Sequence, residues 1–176
     1  VILSERSESK DLFNMPLIYI TGISGSGKST VLKILQEAGY EAHGVDEEGY
    51  GDWIHHETHL AEQFDSDDPN ISIHEWYENH SWVLSRERIT ALKDKSDQEN
   101  KLILLVGFAN DEDNVSELFD KIIYLAVDQK TLRLRIQNRT DNDFGKAPEE
   151  MEAILKWLSE NDQRYRDMSD LVIDAT

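Results

Sequence analysis

The chain has 176 residues, enough for one domain with a substantial core. Acidic residues number 36 against 18 basic ones, a formal net charge of −18, which argues against a long DNA or RNA partner because such binding rests on clustered Lys and Arg. The absence of cysteine excludes disulfides, thiol catalysis and thiolate metal sites, and suits a reducing, cytoplasmic compartment.

Residues 1–14 (VILSERSESKDLFN) are mostly polar and charged, and read as a flexible N-terminal extension lacking the apolar core of a secretory signal. The folded part is expected to span 15–176 as a single domain. Leu17 to Ile20 form an apolar run that stops at Thr21-Gly22, a buried strand ending in a turn. Val31, Ile34, Leu35 and Ala38 then repeat at helical spacing, with Gly39 where a helix-ending glycine belongs. Tyr40 to Val45 is a second strand, halted by Asp46-Glu47-Glu48.

Residues 49–72 are polar and read as a mobile insertion. The spacing of Trp76, Tyr77, His80, Val83 and Leu84 predicts one long helix over residues 73–95. Leu102 to Gly107 reads as a third strand covered on both faces, and its apolar run falls far short of the roughly 20 residues that span a bilayer. A short helix around Val115 to Phe119 precedes a fourth strand, Lys121 to Val127. Asp128 can cap a helix carrying Leu132, Arg135, Ile136 and Arg139. Ala147 to Asp167 forms the last helix, with Pro148 in its first turn and Met151, Ile154, Leu155 and Leu158 as its buried stripe. Leu171 to Ile173 supplies a fifth strand. Strands alternating with helices imply an α/β fold: a three-layer, doubly wound, parallel five-stranded sheet.

The turn after the first strand carries the chemistry. Gly22-Ile23-Ser24-Gly25-Ser26-Gly27-Lys28-Ser29 fits Gly-x-x-x-x-Gly-Lys-Ser in full, and Thr30 follows. Glycines let backbone approach an anion closely, successive N–H groups point inward, and the helix N-terminus adds partial positive charge. This pattern predicts that Lys28 bridges the outer phosphates of ATP and that the Ser29 hydroxyl sits on Mg²⁺. A local nest of N–H groups binds a small phosphate ligand in spite of an acidic surround.

The run YITGISGSGKST, with the strand order around it, resembles the nucleoside and nucleotide kinase group of P-loop proteins, to which gluconate, shikimate and adenylate kinases are related at fold level. The resemblance implies a P-loop nucleoside triphosphate hydrolase fold of the nucleotide-kinase type and an ATP-dependent phosphotransferase. The third strand ends in Gly107, where a motor or AAA-type ATPase usually carries an acid; kinases of this group place one after the second strand, here Asp46. Asp46 then either accepts the acceptor hydroxyl's proton or orders Mg²⁺ through water; otherwise it is a solvated acid, as Glu47 and Glu48 are more readily taken to be. Arg135 and Arg139, four apart, match an Arg-x-x-x-Arg pair that opens a lid in adenylate-kinase relatives, here 139–147. The analogy assigns Arg139 to the transferring phosphate and Arg135 to the base or a phosphate. Arg133 is read as surface, while Arg164 and Arg166 stand where such kinases often add another phosphate contact.

In that group the acceptor binds between the second and third strands, here 47–100. Trp53 and Arg86 are the expected contacts there, with Gly107 and Asn110 presenting backbone and amide; Trp76, Tyr77 and Val83 read as core. His55-His56-x-x-His59 lacks the His-Glu-x-x-His arrangement and any cysteine, and is not read as a metal site. The acceptor signatures of gluconate, shikimate and adenylate kinases are missing, so their substrates are not implied. The remaining alternative is a nucleotide-binding regulatory or adaptor ATPase without a small-molecule acceptor. The expected partner is a small phosphoryl acceptor, with no membrane, and the protein is expected to be a monomer or homodimer.

Overall fold

The computed structural model describes residues 17–64, 73–140 and 143–176; the expected N-terminal extension lies outside them. Strands β1 (Leu17–Thr21), β2 (Glu41–Gly44), β6 (Ile103–Val106), β7 (Lys121–Ala126) and β8 (Leu171–Asp174) form one sheet in the order β2-β6-β1-β7-β8. Every pairing in it is parallel, with Ile18 opposite Leu104 and Ile20 opposite Ile123. The loop-bearing strand β1 is therefore central and covered on both faces, as its nearly unbroken apolar run requires.

The period of two sorts its side chains between two layers. Leu17 and Tyr19 pack with Ile103, Leu105 and the α3 residues Ile89 and Leu92, where α3 spans Arg86–Glu99. On the other face Ile20, Leu104, Val106 and Leu125 meet Leu32 of α1 (Lys28–Glu37). Each fully buried aliphatic side chain contributes about 1.5–3 kcal/mol. Beside the sheet, Leu132 and Ile136 of α4 (Gln129–Asn138) pack on Met151, Ile154, Leu155 and Leu158 of α5 (Pro148–Met168). Asp128 caps α4 as expected, accepting the Thr131 N–H at 2.6 Å. These layers make the doubly wound sheet of the nucleotide-kinase type.

The structure departs from the sequence reading between 49 and 95. A second, antiparallel sheet of order β4-β3-β5 is built from β3 (Gly51–His55), β4 (Ala61–Glu62) and β5 (His80–Leu84). The long helix expected over 73–95 is instead α2 (Ile73–Asn79), then β5, then α3. Residues 80–84 satisfy a helical spacing locally, yet their aromatic and β-branched side chains find cross-strand partners in β3, which wins. Trp82 pairs with Trp53, and its ring lies over Gly51, where a Cβ would fall 2.5 Å from Trp82 Cε2. The stretch read as a mobile insertion thus contains two strands, and its part from 65 to 72 lies outside the described residues. Backbone and side chain of Asn110 tie this small sheet to the end of β6, through Asn110 N–H to Trp82 O at 2.7 Å and Trp82 N–H to Asn110 Oδ1 at 2.9 Å. Among the described residues no helix is long and apolar enough to cross a membrane.

Candidate active site

The turn from β1 into α1 is shaped by what its glycines exclude. A Cβ on Gly22 would lie 2.5 Å from Ser26 Oγ and 2.9 Å from the Leu125 carbonyl, so only glycine fits. Gly25 and Gly27 take left-handed φ of 86° and 108°, and Gly27 is the N-cap of α1. No acid stands in the first turn of α1, so its partial positive charge is left for an external anion. Ser26 Oγ is buried with no hydrogen-bond partner among the described residues. Lys28 Nζ donates to the carbonyls of Gly22 at 2.6 Å and Ile23 at 3.0 Å. Burial lowers the Lys28 pKa to about 8; Asp46 and Glu112 oppose that fall and Arg139 adds to it.

Both predicted arginines reach this loop. Arg135 Nη1 donates to Ser26 O at 3.2 Å, and Arg139 Nη1 to Ser24 Oγ at 3.4 Å. Arg139 Nη2 also donates to Phe144 O, while its Nε is buried without a partner among the described residues. Arg133 points to solvent. Arg164 pairs with Asp113 at 2.8 Å and Arg166 with Asp162 at 2.7 Å, and neither lines the cavity over the loop.

That cavity is about 1340 Å³ and extends from the loop along Ile123, Leu125, Ile173 and Thr176 beside β7 and β8. Residues Ser24 to Thr30, Asp46, Arg135 and Arg139 all line it. Asp46 follows β2 and stands at the carboxyl edge of the sheet, where ligands of open parallel sheets bind. Asp46 is exposed at the cavity edge; the partial desolvation of its carboxyl raises the pKa above the usual carboxylate value, Lys28 lowers it, Glu47 raises it and the Trp82 indole lowers it. Glu48 is occupied locally, accepting from Gly44 N–H at 3.1 Å and meeting His43 Nδ1 at 2.7 Å.

Of the expected acceptor contacts, Trp53 and Asn110 line the cavity. Arg86 and Gly107 do not. Arg86 is exposed and pairs with Glu117 at 2.5 Å and with the Asn114 carbonyl, while Gly107 lets β6 end close against Val45, whose Cγ2 would be 2.2 Å from an added Cβ. Trp76 is core as read, at 6% exposure, but Tyr77 lines the cavity. Trp82, an aromatic of the acceptor stretch that the sequence did not single out, also lines it, and sequence reasoning missed Phe144 and Trp157 on its wall. Among the described residues, His55 of the three clustered histidines forms a group with two other metal-type ligands, Glu62 and His80, with ligand atoms within 4.8 Å. His80 has a partner at each ring nitrogen, Trp76 O at 3.0 Å and Glu62 Oε2 at 3.2 Å, which suits a structural tie.

A central parallel sheet whose first strand runs through a complete phosphate loop into a helix defines a P-loop, nucleotide-binding type of fold. The AAA domain family matches residues 18–156, and the chain belongs to that family, although β6 runs into Gly107 and not into the acid expected there of an AAA-type ATPase. No curated protein matches it in sequence. Among solved structures it is similar to shikimate kinase from Acinetobacter baumannii in complex with shikimate, with TM-score 0.53 and 17% identity over 94% of this chain and 87% of that one. Shikimate kinase from Bacteroides thetaiotaomicron matches with TM-score 0.49 and 15% identity over 92% and 87%. Deoxyadenosine kinase from M. mycoides with bound dATP matches with TM-score 0.44 and 19% identity over 90% and 91%. At these identities the likeness is one of fold.

Proposed function

We propose that this chain is an ATP-dependent small-molecule kinase, moving the γ-phosphoryl group of Mg·ATP to a small hydroxylated or phosphorylated acceptor of nucleoside or nucleotide type. One observation carries the reading: a single cavity is lined at once by Ile23 to Thr30 of the phosphate loop, with Lys28, by Arg135 and Arg139, and by Asp46. The fold-level likeness to a shikimate kinase supports phosphoryl transfer to a small molecule without pointing to shikimate as the acceptor.

The residues divide the work by charge. Backbone N–H groups of Gly22 to Thr30 cradle the phosphates, with Gly25 and Gly27 supplying the curvature and Ser24 and Ser26 the hydroxyls. Lys28 and Arg139 stand against the charge that spreads over the transferring group, and Arg135 holds base or phosphate. The Ser29 hydroxyl, in the first turn of α1, suits Mg²⁺, which when bound neutralises phosphate charge. Asp46 takes the proton of the acceptor hydroxyl as the new oxygen–phosphorus bond forms and the bond from γ-phosphorus to the ADP oxygen breaks; its raised pKa makes it a stronger base than an ordinary carboxylate. The stretch 47–100 forms the acceptor side, with Trp53 and Asn110 facing the ligand.

The test is ADP release from Mg·ATP across pooled acceptors, with Lys28→Ala as blank. A pool that raises the rate well above the acceptor-free level establishes the kinase. Binding of ATP with no stimulation by any pool overturns it in favour of a nucleotide-binding regulatory or adaptor ATPase.

A further inference from the structure

Among the described residues, each Lys or Arg on the cavity wall makes at least one hydrogen bond to the phosphate loop. Lys28 is bonded to Gly22 and Ile23, Arg135 to Ser26, and Arg139 to Ser24 and Phe144. The opposite wall comes from the small sheet and its flanks, and among the described residues it carries no Lys or Arg: beside Asp46 it presents Trp53, Tyr77, Ser81, Trp82 and Asn110, with His56 and His80. The two arginines nearest in sequence to that wall are engaged elsewhere. Arg86 is held by Glu117 and the Asn114 carbonyl, and Arg88 by the Gly49 carbonyl and by Asp52 at 3.1 Å. His56 Nε2 is taken by Ser81 Oγ at 2.9 Å, and any positive charge on His80 faces Glu62 at 3.2 Å. The sequence of residues 65–72, DSDDPNIS, contains no Lys or Arg either.

We infer that the acceptor is an uncharged, ring-bearing alcohol, and that this site discriminates against phosphomonoesters and carboxylates. A buried anion needs a paired cation or several donors, and here it would instead meet the Asp46 carboxylate. A neutral ring meets what the wall offers. Trp53 lies 5.5 Å from Tyr77 and 5.3 Å from Trp82 between ring centroids, forming an aromatic corner, and Tyr77 in turn makes an edge contact with Phe144 at 6.0 Å. Asn110 spends its Oδ1 on Trp82 N–H, which leaves its amide N–H groups for a ring or hydroxyl oxygen. Asp46 alone would then receive the reacting hydroxyl. This narrowing rests on the kinase reading for the direction of the acceptor, but it concerns the wall itself and is testable by binding.

The experiment compares matched pairs that differ by one anionic group: adenosine with adenosine 5′-monophosphate, thymidine with thymidine 5′-monophosphate, and pyridoxine with 4-pyridoxic acid. Calorimetry on the full chain saturated with Mg²⁺ and a non-hydrolysable ATP analogue is expected to rank a neutral member at least about tenfold tighter than its anionic partner. Trp53→Ala should weaken that neutral ligand about tenfold, with Trp53→Phe recovering most of it, and the ATP analogue should bind all three proteins alike. Equal or tighter binding of the anionic members, or binding of no member, overturns the inference. Phosphoryl transfer is measured beside it: a pair ranked as expected by binding, yet phosphorylated by neither member, removes the kinase reading while leaving the character of the wall intact.

Discussion

Lys28 Nζ donates to the carbonyl oxygen of Gly22 across 2.6 Å, so the lysine at the start of α1 is tethered to the residue that opens the loop. This bond and its companion to Ile23 hold the ammonium at the mouth of the phosphate cradle. Lys28→Ala is expected to lower kcat by about 10²–10³-fold, the usual loss when one positioned donor to a developing charge is removed. Single-turnover transfer from labelled ATP measures it, and an unchanged rate would remove Lys28 from the chemistry.

Titration of the same residue sets the alkaline limb of activity. The Lys28 pKa is brought down to about 8, so the free protein carries this charge below that pH and loses it above. Affinity for Mg·ATP should decline above about pH 8, by up to about tenfold per pH unit. Asp46 must be ionised to act as a base, and its raised pKa moves the acid limb above the ordinary carboxylate range. The profile of kcat/KM against pH is therefore a bell. Lys28→Arg, always charged, should abolish the alkaline limb. A limb that stays in place with arginine at this position assigns it to another group.

Asp46→Asn separates binding from proton transfer. The amide keeps the shape and cannot take a proton, so turnover should fall on the order of 10²–10⁴-fold while the dissociation constant of ATP changes little. Parallel calorimetry and initial rates decide it. A normal turnover would leave Asp46 as a solvated acid at the cavity edge.

What could be read from the sequence was what is local. The phosphate loop, the stripe of α5 and the apolar runs of β1 and β6 each lie within one element, so period and motif suffice. The stripe read on α1 from Val31, Ile34, Leu35 and Ala38 was misplaced in part: Leu32 is the residue buried against the sheet, while Ile34 is 58% exposed. Trp82 was hidden because its strand is defined by pairing with β3, far back in the chain, while its own neighbours satisfy a helical spacing. Arg86 was attractive by charge alone, and its partner Glu117 stands 31 residues further on. Glu112 gave no signal at all: it follows β6 in a polar stretch and is buried only because Tyr19 and Thr21, 93 and 91 residues earlier, reach it.

Gly107 illustrates a residue whose role is packing. Its missing side chain makes room for Val45, whose Cβ would lie 2.3 Å from an added methyl group and whose Cα would lie at 3.3 Å. Gly107→Ala forces apart the ends of β2 and β6 and should destabilise the protein by about 1–3 kcal/mol. For a chain of this size each kcal/mol lowers Tm by roughly 2–4 °C. A melting curve that matches the wild type would show that Val45 moves aside at no cost.

Glu112 supplies the last test, through stability and not activity. It is fully buried under β1, accepting hydrogen bonds from the Tyr19 and Thr21 hydroxyls at 2.8 Å each, while its Oε2 has no partner among the described residues. Burial raises its pKa against the opposing pull of the Tyr165, Tyr19 and Thr21 hydroxyls. The folded protein thus holds this proton at a pH where the unfolded chain has released it. Stability from the group is fully present below the unfolded carboxyl value and is lost as pH rises through the folded one. Glu112→Gln keeps the accepting oxygen and the volume but carries no charge at any pH. The variant should therefore gain on the wild type in Tm as pH increases from the acid side to neutrality, and the gain should shrink towards zero in acid. Parallel Tm curves across that range would mean that the carboxyl of Glu112 ionises no differently in the folded protein than in the unfolded chain.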